Sequence, residues 1–184
     1  MDYKKTFIDG PIEFTPKVFE DDRGVFFETY NQILLESNKF NYKFIQDNQS
    51  ISKKHVFRGI HCQLPPYTQG KLVRVVKGSV VDFAIDLRRS SETYGKWESV
   101  VLDSTKNNQF WIPPGFGHAF YTLEDDTIVT YKCTNLYNTE KEVVIKYDDP
   151  SISLSIINKN IPIIVSDKDK KGISFMEFNR INPF

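Results

Sequence analysis

Apolar and polar positions alternate with a period of two through many short runs of this chain. VFFETY, HVFRGIHCQL, KLVRVV, SVVDFAIDL, WESVVL, FWI, HAFYTL, TIVTYKC and EVVIKY all read as strands, separated by clusters of Gly, Pro, Asn and Asp. In SVVDFAIDL the residues Val81, Phe83, Ile85 and Leu87 alternate with Asp82, Ala84, Asp86 and Arg88, which predicts a strand with one face in water. DDRG, VKGS and PPGFG supply the glycines that tight turns need. Only NQILLESN reads as a helix, and a short one. Many short strands at hairpin spacing predict an all-β jelly-roll sandwich or barrel with a few short helices, an architecture that includes the cupins.

At 184 residues the chain suits one well-buried domain, and no linker, repeat or break in composition divides it. From about Asn158 the text is richer in Lys, Asn and Asp, and a wrapping tail is expected there. Lys plus Arg and Asp plus Glu both total 24, and the isoelectric point is near 6.8. Such a balance offers no field to hold a nucleic acid or an anionic membrane, so any anion must be caught locally. MDYKKTFIDG does not read as the continuous apolar segment of a signal peptide, and no run approaches the roughly 18 apolar residues of a membrane span; a cytoplasmic protein is the expectation. Cys62 and Cys133 both fall in strand text and read as small buried hydrophobes.

RGIHCQL sets His61, one of three histidines, among apolar neighbours beside a thiol. Four readings are open: metal ligand, partner of a nucleophile, solitary base, or satisfied core residue. A metal-binding cupin would want His-x-His with a carboxylate and a further His, whereas His61, His118 and His55 are scattered; no metal is expected. Cys62 follows His61 directly and points to the opposite face, which disfavours a Cys–His pair. Arg58, Gln63, Lys71, His118 and Tyr131 put polar groups where a barrel interior should be apolar. With Gln46, Asp47 and Asn48 they suggest a cleft for an anion over a floor of apolar strand. Tyr131 and Tyr137 share a parity, but Arg58 and His61 do not; bringing those two together requires a rim position or a bulge, for which Gly59 is the candidate.

DDRGVFFETY, FIQDNQSISKKHVFRGIHCQ, QGKLVRVVKGSVVDFAIDLR, YGKWESVVL, WIPPGFGHAF, YKCTNLY and SDKD occur in this order from about residue 8 to residue 170. Together they resemble the dTDP-4-dehydrorhamnose 3,5-epimerase family. The resemblance implies a cupin-type jelly roll, a homodimer, chemistry without metal or other cofactor, and a nucleotide-diphosphate 4-keto-6-deoxyhexose as substrate. It implies His61 as general base, Asp169 as its carboxylate partner, Tyr131 as proton donor and Lys71 facing the sugar's carbonyl oxygen. Substrate contacts would come from Arg23, Phe26, Glu28, Gln46, Asn48, Arg58, His118, Glu142 and Lys168, with Tyr137 stacking on the nucleobase.

The chain departs from the family pattern at three places. DPSISLSII puts Ile156 and Ile157 where Trp and Pro are common, GFGHAF replaces GFAHGF, and Cys62 replaces an aromatic residue. Alternatives within the resemblance are epimerisation at C3 or C5 alone and 3,4-ketoisomerisation, on a dTDP- or CDP-linked sugar. Outside it stand a sugar-nucleotide-binding cupin without chemistry and a metal-dependent cupin enzyme.

Overall fold

The computed structural model describes residues 2–37, 40–156 and 161–184. Ile157, the last residue of NQILLESN and the start of the expected tail at 158 lie outside the described residues. In chain order the first strands are β1 (Asp2–Lys5), β2 (Ile12–Thr15), β3 (Val18–Asp21) and β4 (Gly24–Phe27), followed by helix α1 (Gln32–Ser37). Next come β5 (Gln46–Ser52), β6 (Val56–Gln63), β7 (Lys71–Lys77), β8 (Ser79–Asp86) and β9 (Trp97–Asp103). Then follow β10 (Gln109–Ile112), β11 (Phe116–Thr122), β12 (Thr127–Cys133) and β13 (Glu142–Val144). The chain closes with β14 (Ile164–Val165), α2 (Asp167–Lys170) and α3 (Phe175–Ile181).

Two sheets form the sandwich. One has the order β1-β2-β10-β7-β12-β5; the other runs β13-β6-β11-β8-β9, with β14 added parallel to β6. Their inner faces meet in a core of Val73, Val75, Phe110 and Val129 from the first sheet and Val80, Ala84, Phe116 and Phe120 from the second. The second sheet has an apolar outer face as well, where Phe57, Ile60, Cys62, Phe83, Ile85 and Leu87 pack under Ile145, Ile152, Leu154, Val165 and Phe178. The outside of the first sheet carries Phe14, Leu72 and Trp111 beneath Leu35 and Phe40.

This double covering corrects the reading of SVVDFAIDL. Neither face of β8 is wet: Asp82, Ala84 and Asp86 are as buried as Phe83 and Ile85, because β8 lies between β11 and β9 with a core on each side. EVVIKY is a strand only over its first three residues. The polar strand β5 and the helices α2 and α3 were not among the expected elements. For α3 a signal exists in SFME: the Ser174 Oγ accepts from the Glu177 backbone N–H and the Glu177 carboxylate accepts from the Ser174 N–H, a capping box. Phe178 anchors this helix in the outer core, and Pro183 follows its end.

Candidate active site

The site is built on β6, and its geometry begins with an irregularity. His61 pairs with His118 of β11 and Arg58 pairs with Phe120, so three residues of β6 span two of β11. Gly59, at φ +130, sits in this bulge. Before it Phe57 faces the outer core; after it Ile60 and Cys62 do. The shift of phase turns Arg58 and His61 to the same side despite their opposite parity, as a bulge at Gly59 was expected to do.

Asp169 reaches His61 because β14 runs beside the start of β6, pairing Ile164 with Val56 and Val165 with Phe57, and delivers the chain into α2. Ser166 caps that helical turn by accepting the Asp169 backbone N–H. The carboxylate is 2% exposed and accepts from His61 Nε2 at 2.6 Å and from the Gly59 N–H at 3.3 Å. Burial pushes its pKa up, but the hydrogen bond and charge of His61 and the Gly59 N–H outweigh burial and hold it below the usual carboxylate range. An ionised Asp169 accepts only, so Nε2 carries the proton and Nδ1 of a neutral His61 keeps the lone pair.

Lys71 opens β7 and Tyr131 lies on β12, the neighbouring strand. The Lys71 ammonium is 5.7 Å from the Tyr131 ring centroid, and that ring meets His118 edge-on at 6.1 Å. Burial lowers the Lys71 pKa, opposed by the Cys133 and Cys62 thiols and by Asp82 and Glu142. The same effect raises Tyr131, which therefore remains a neutral phenol well above neutrality.

Two cavities have Asn48, His61, Lys71 and Tyr131 in common among their lining residues. One, of about 180 Å³, is also lined by Gln46, Cys62, Gln63, Gln69, Tyr137 and Glu142. The other, of about 240 Å³, adds Gln49, Ser50, Arg58, His118 and Phe120. A larger groove of about 390 Å³ near Arg74 touches neither His61 nor Lys71; the convergence of titratable groups selects the smaller pair. At the rim Glu142 accepts from the Tyr137 hydroxyl at 2.8 Å and from Lys168 Nζ at 2.5 Å. The Glu142 hydrogen bond pushes the Tyr137 phenol up to about 12. Gln46 fixes the loop by accepting the Tyr137 backbone N–H and donating to Asn48 Oδ1.

Eleven of the fourteen expected residues thus gather at one end of the sandwich, and three do not. Arg23, Phe26 and Glu28 belong to the β3–β4 hairpin or follow it, and among the described residues β3 and β4 pair only with each other. The Arg23 side chain is 89% exposed and bound to Asp21, Phe26 is 68% exposed, and Glu28 accepts from Asn31 Nδ2. None of the three lines a cavity with His61. The parity argument for Tyr137 also stops short, because β12 ends at Cys133 and Tyr137 enters the cavity from a loop.

One buried residue at the site was missed. Asp82 is 0% exposed, and both its carboxylate oxygens accept from His118 Nε2, at 3.0 and 3.1 Å. Burial raises the Asp82 pKa and lowers that of His118. An aspartate on the inner parity of an otherwise apolar strand was the signal, and it was read as a wet face. Both thiols are free and buried, and burial pushes Cys62 up to about 12. Among the described residues no cluster of His, Cys, Asp and Glu is arranged to hold a metal ion, and no helix is long and apolar enough to cross a membrane.

The model of the family described as dTDP-4-dehydrorhamnose 3,5-epimerase matches residues 5–177. The chain belongs to the dTDP-4-dehydrorhamnose 3,5-epimerase family. The epimerase of Shigella flexneri is 45% identical over 178 residues, covering 96% of this chain and 97% of that protein. Among solved structures, the dTDP-4-dehydrorhamnose 3,5-epimerase of Elizabethkingia anophelis superposes with a TM-score of 0.91 at 38% identity, covering 97% of this chain and 98% of the other. The dTDP-6-deoxy-D-glucose-3,5-epimerase of Legionella pneumophila, solved in complex with dTDP-4-keto-L-rhamnose, gives 0.89 at 38% identity, covering 94% and 92%. The cupin-type sandwich expected from the strand text is therefore the fold this family of epimerases uses.

Proposed function

We propose that this protein epimerises a nucleotide-diphosphate 4-keto-6-deoxyhexose as a dTDP-4-dehydrorhamnose 3,5-epimerase, removing a proton beside the C4 ketone and returning one from the opposite face. One observation carries the reading: an imidazole held by a buried carboxylate, an ammonium and a neutral phenol line a common pair of cavities. C3 and C5 both flank the carbonyl, so one ketone acidifies both protons. His61 Nδ1 is the base, and Asp169 keeps the ring in the required tautomer and stabilises the imidazolium that forms. Negative charge grows on O4 as the proton leaves, and Lys71 in a partly dry cavity is the group that holds it. Tyr131 returns the proton. Each such transfer group is typically worth about 100- to 10,000-fold in rate.

Around this centre, Arg58 and Lys168 supply cations for the diphosphate. Gln46, Asn48, His118 and Glu142 orient the substrate, and Tyr137 offers a platform for the base. The position of Arg23, Phe26 and Glu28 supports a homodimer. Exposed Val18, Phe19, Val25 and Phe26 give the hairpin an apolar surface suited to a second copy, toward whose cavity Arg23 and Phe26 would then reach. Residues 1–184 are read as one cupin-like domain with a wrapping tail from about 158, working in the cytoplasm, where the free thiols are in keeping with a reducing compartment.

Turnover of a dTDP-linked 4-keto-6-deoxyhexose in deuterated water tests the chemistry, with deuterium expected at C3 and C5 of the product. No exchange at either carbon overturns the reading. Label at one carbon alone makes the protein a mono-epimerase, and a migrated carbonyl makes it a ketoisomerase. Light scattering at twice the chain mass is expected for the dimer.

A further inference from the structure

The inner face of β5 presents Gln46, Asn48, Ser50 and Ser52 in alternation. Three of these side chains are occupied within the protein: Gln46 donates to Asn48, Asn48 Nδ2 lies 3.5 Å from Cys133 Sγ, and Ser52 Oγ accepts from Arg58 Nε at 3.2 Å. Ser50 is different. Among the described residues its hydroxyl is the only buried side-chain oxygen or nitrogen without a protein partner. Buried polar groups are satisfied almost everywhere in native proteins, and one that is not weakens the fold relative to an apolar replacement of the same size.

The place of this hydroxyl is as particular as its lack of a partner. Ser50 lines the cavity that also holds Arg58, His61, Lys71, His118 and Tyr131, whereas Tyr137 lines only the other cavity. Resting on the reading above, the reacting ring must lie among His61, Lys71 and Tyr131, and the base must lie toward Tyr137. Ser50 therefore faces the sugar and not the nucleobase. The diphosphate has Arg58 and Lys168 as cationic donors, which a neutral hydroxyl matches poorly. A ring hydroxyl of the sugar, both donor and acceptor, is its natural complement.

We propose that Ser50 is a further substrate-positioning residue, whose hydroxyl hydrogen-bonds directly to a ring hydroxyl of the bound 4-ketohexose. The arrangement trades folding stability for orientation of the ring over His61.

Ser50→Ala in the full chain tests this through two readouts that move in opposite directions. Its melting temperature without ligand is expected to equal or exceed that of the wild type, while kcat/KM falls about tenfold, the order of one hydrogen bond between neutral groups. Titration with dTDP alone, which lacks the sugar, is expected to give an affinity within twofold of wild type. A melting temperature lowered by several degrees would make the hydroxyl structural and overturn the proposal. An unchanged kcat/KM, or a dTDP affinity that falls in step with it, overturns it equally. In each of these three cases a wild type that still turns over leaves the epimerase reading standing; a wild type inactive on every nucleotide-linked ketosugar removes both that reading and the role of Ser50.

Discussion

His61 Nε2 and Asp169 Oδ1 stand 2.6 Å apart, although 108 residues separate them along the chain. The contact exists because a two-residue parallel strand and one turn of helix bring the tail back against β6. A carboxylate in this place fixes which nitrogen carries the proton, so the amide isostere is the informative replacement. Asp169→Asn is expected to lower kcat by about 100-fold or more, with dTDP affinity changed by no more than a few-fold. Steady-state kinetics and calorimetric titration check the two halves of that expectation.

Tyr131 and His61 have separable tasks if the phenol returns the proton that the imidazole removes. In Tyr131→Phe, His61 still works on the substrate, and deuterium from solvent is expected to enter recovered substrate without inversion. Product formation falls by about 100- to 10,000-fold. Mass spectrometry and proton NMR of the recovered sugar nucleotide distinguish this from a general loss of activity, in which neither label nor product appears.

Asp86 governs stability rather than chemistry. Burial pushes its carboxyl up, but Arg88, the Ser91 and Thr93 hydroxyls and the Arg88 N–H outweigh burial and bring it from 3.8 to about 2. That shift corresponds to about 2 kcal/mol of stability at neutral pH. Because the folded value lies below the unfolded one, the contribution is whole above about pH 4 and is lost as the pH falls toward 2. Asp86→Asn is expected to be less stable by about 2 kcal/mol at pH 7, with the gap closing below pH 4. Urea unfolding across that range measures it.

Gly59 has no room for a side chain. A Cβ there would lie 2.4 Å from the Ala119 Cβ and 2.7 Å from the His118 carbonyl oxygen, at a φ of +130. Gly59→Ala is expected to destabilise by at least about 2 kcal/mol, from crowding added to an unfavourable backbone conformation. Activity should fall as well, since the Gly59 N–H also holds Asp169. Thermal unfolding with a parallel assay tests both.

The strands legible in the sequence are those whose alternation faces a core. In β11 and β12, Phe120 and Val129 point inward among other apolar side chains, and their runs were readable as strands. β5 was silent because its inner face lines a cavity, so Gln46, Asn48 and Ser50 stand where apolar residues would have marked it. Asp82 was visible but misjudged, since parity shows that a residue faces away from its neighbours and not whether water lies there. Asp169 could not be found by spacing at all; only the likeness of SDKD to the family pointed to it. The hairpin residues Arg23, Phe26 and Glu28 were suggested only by the likeness to the family, and among the described residues the pairing of β3 with β4 alone leaves them outside this chain's own cavity.

The extra residue at Gly59 also sets a rule for anyone re-engineering the pocket. Even-numbered positions of β6 look inward up to Arg58 and odd-numbered ones do so from His61 onward, so a library drawn on a uniform odd–even mask would diversify the packed side of half the strand. Removing the bulged glycine would restore plain alternation and leave Arg58 and His61 on one side, but it would take away the backbone N–H on which the buried carboxylate behind the imidazole rests.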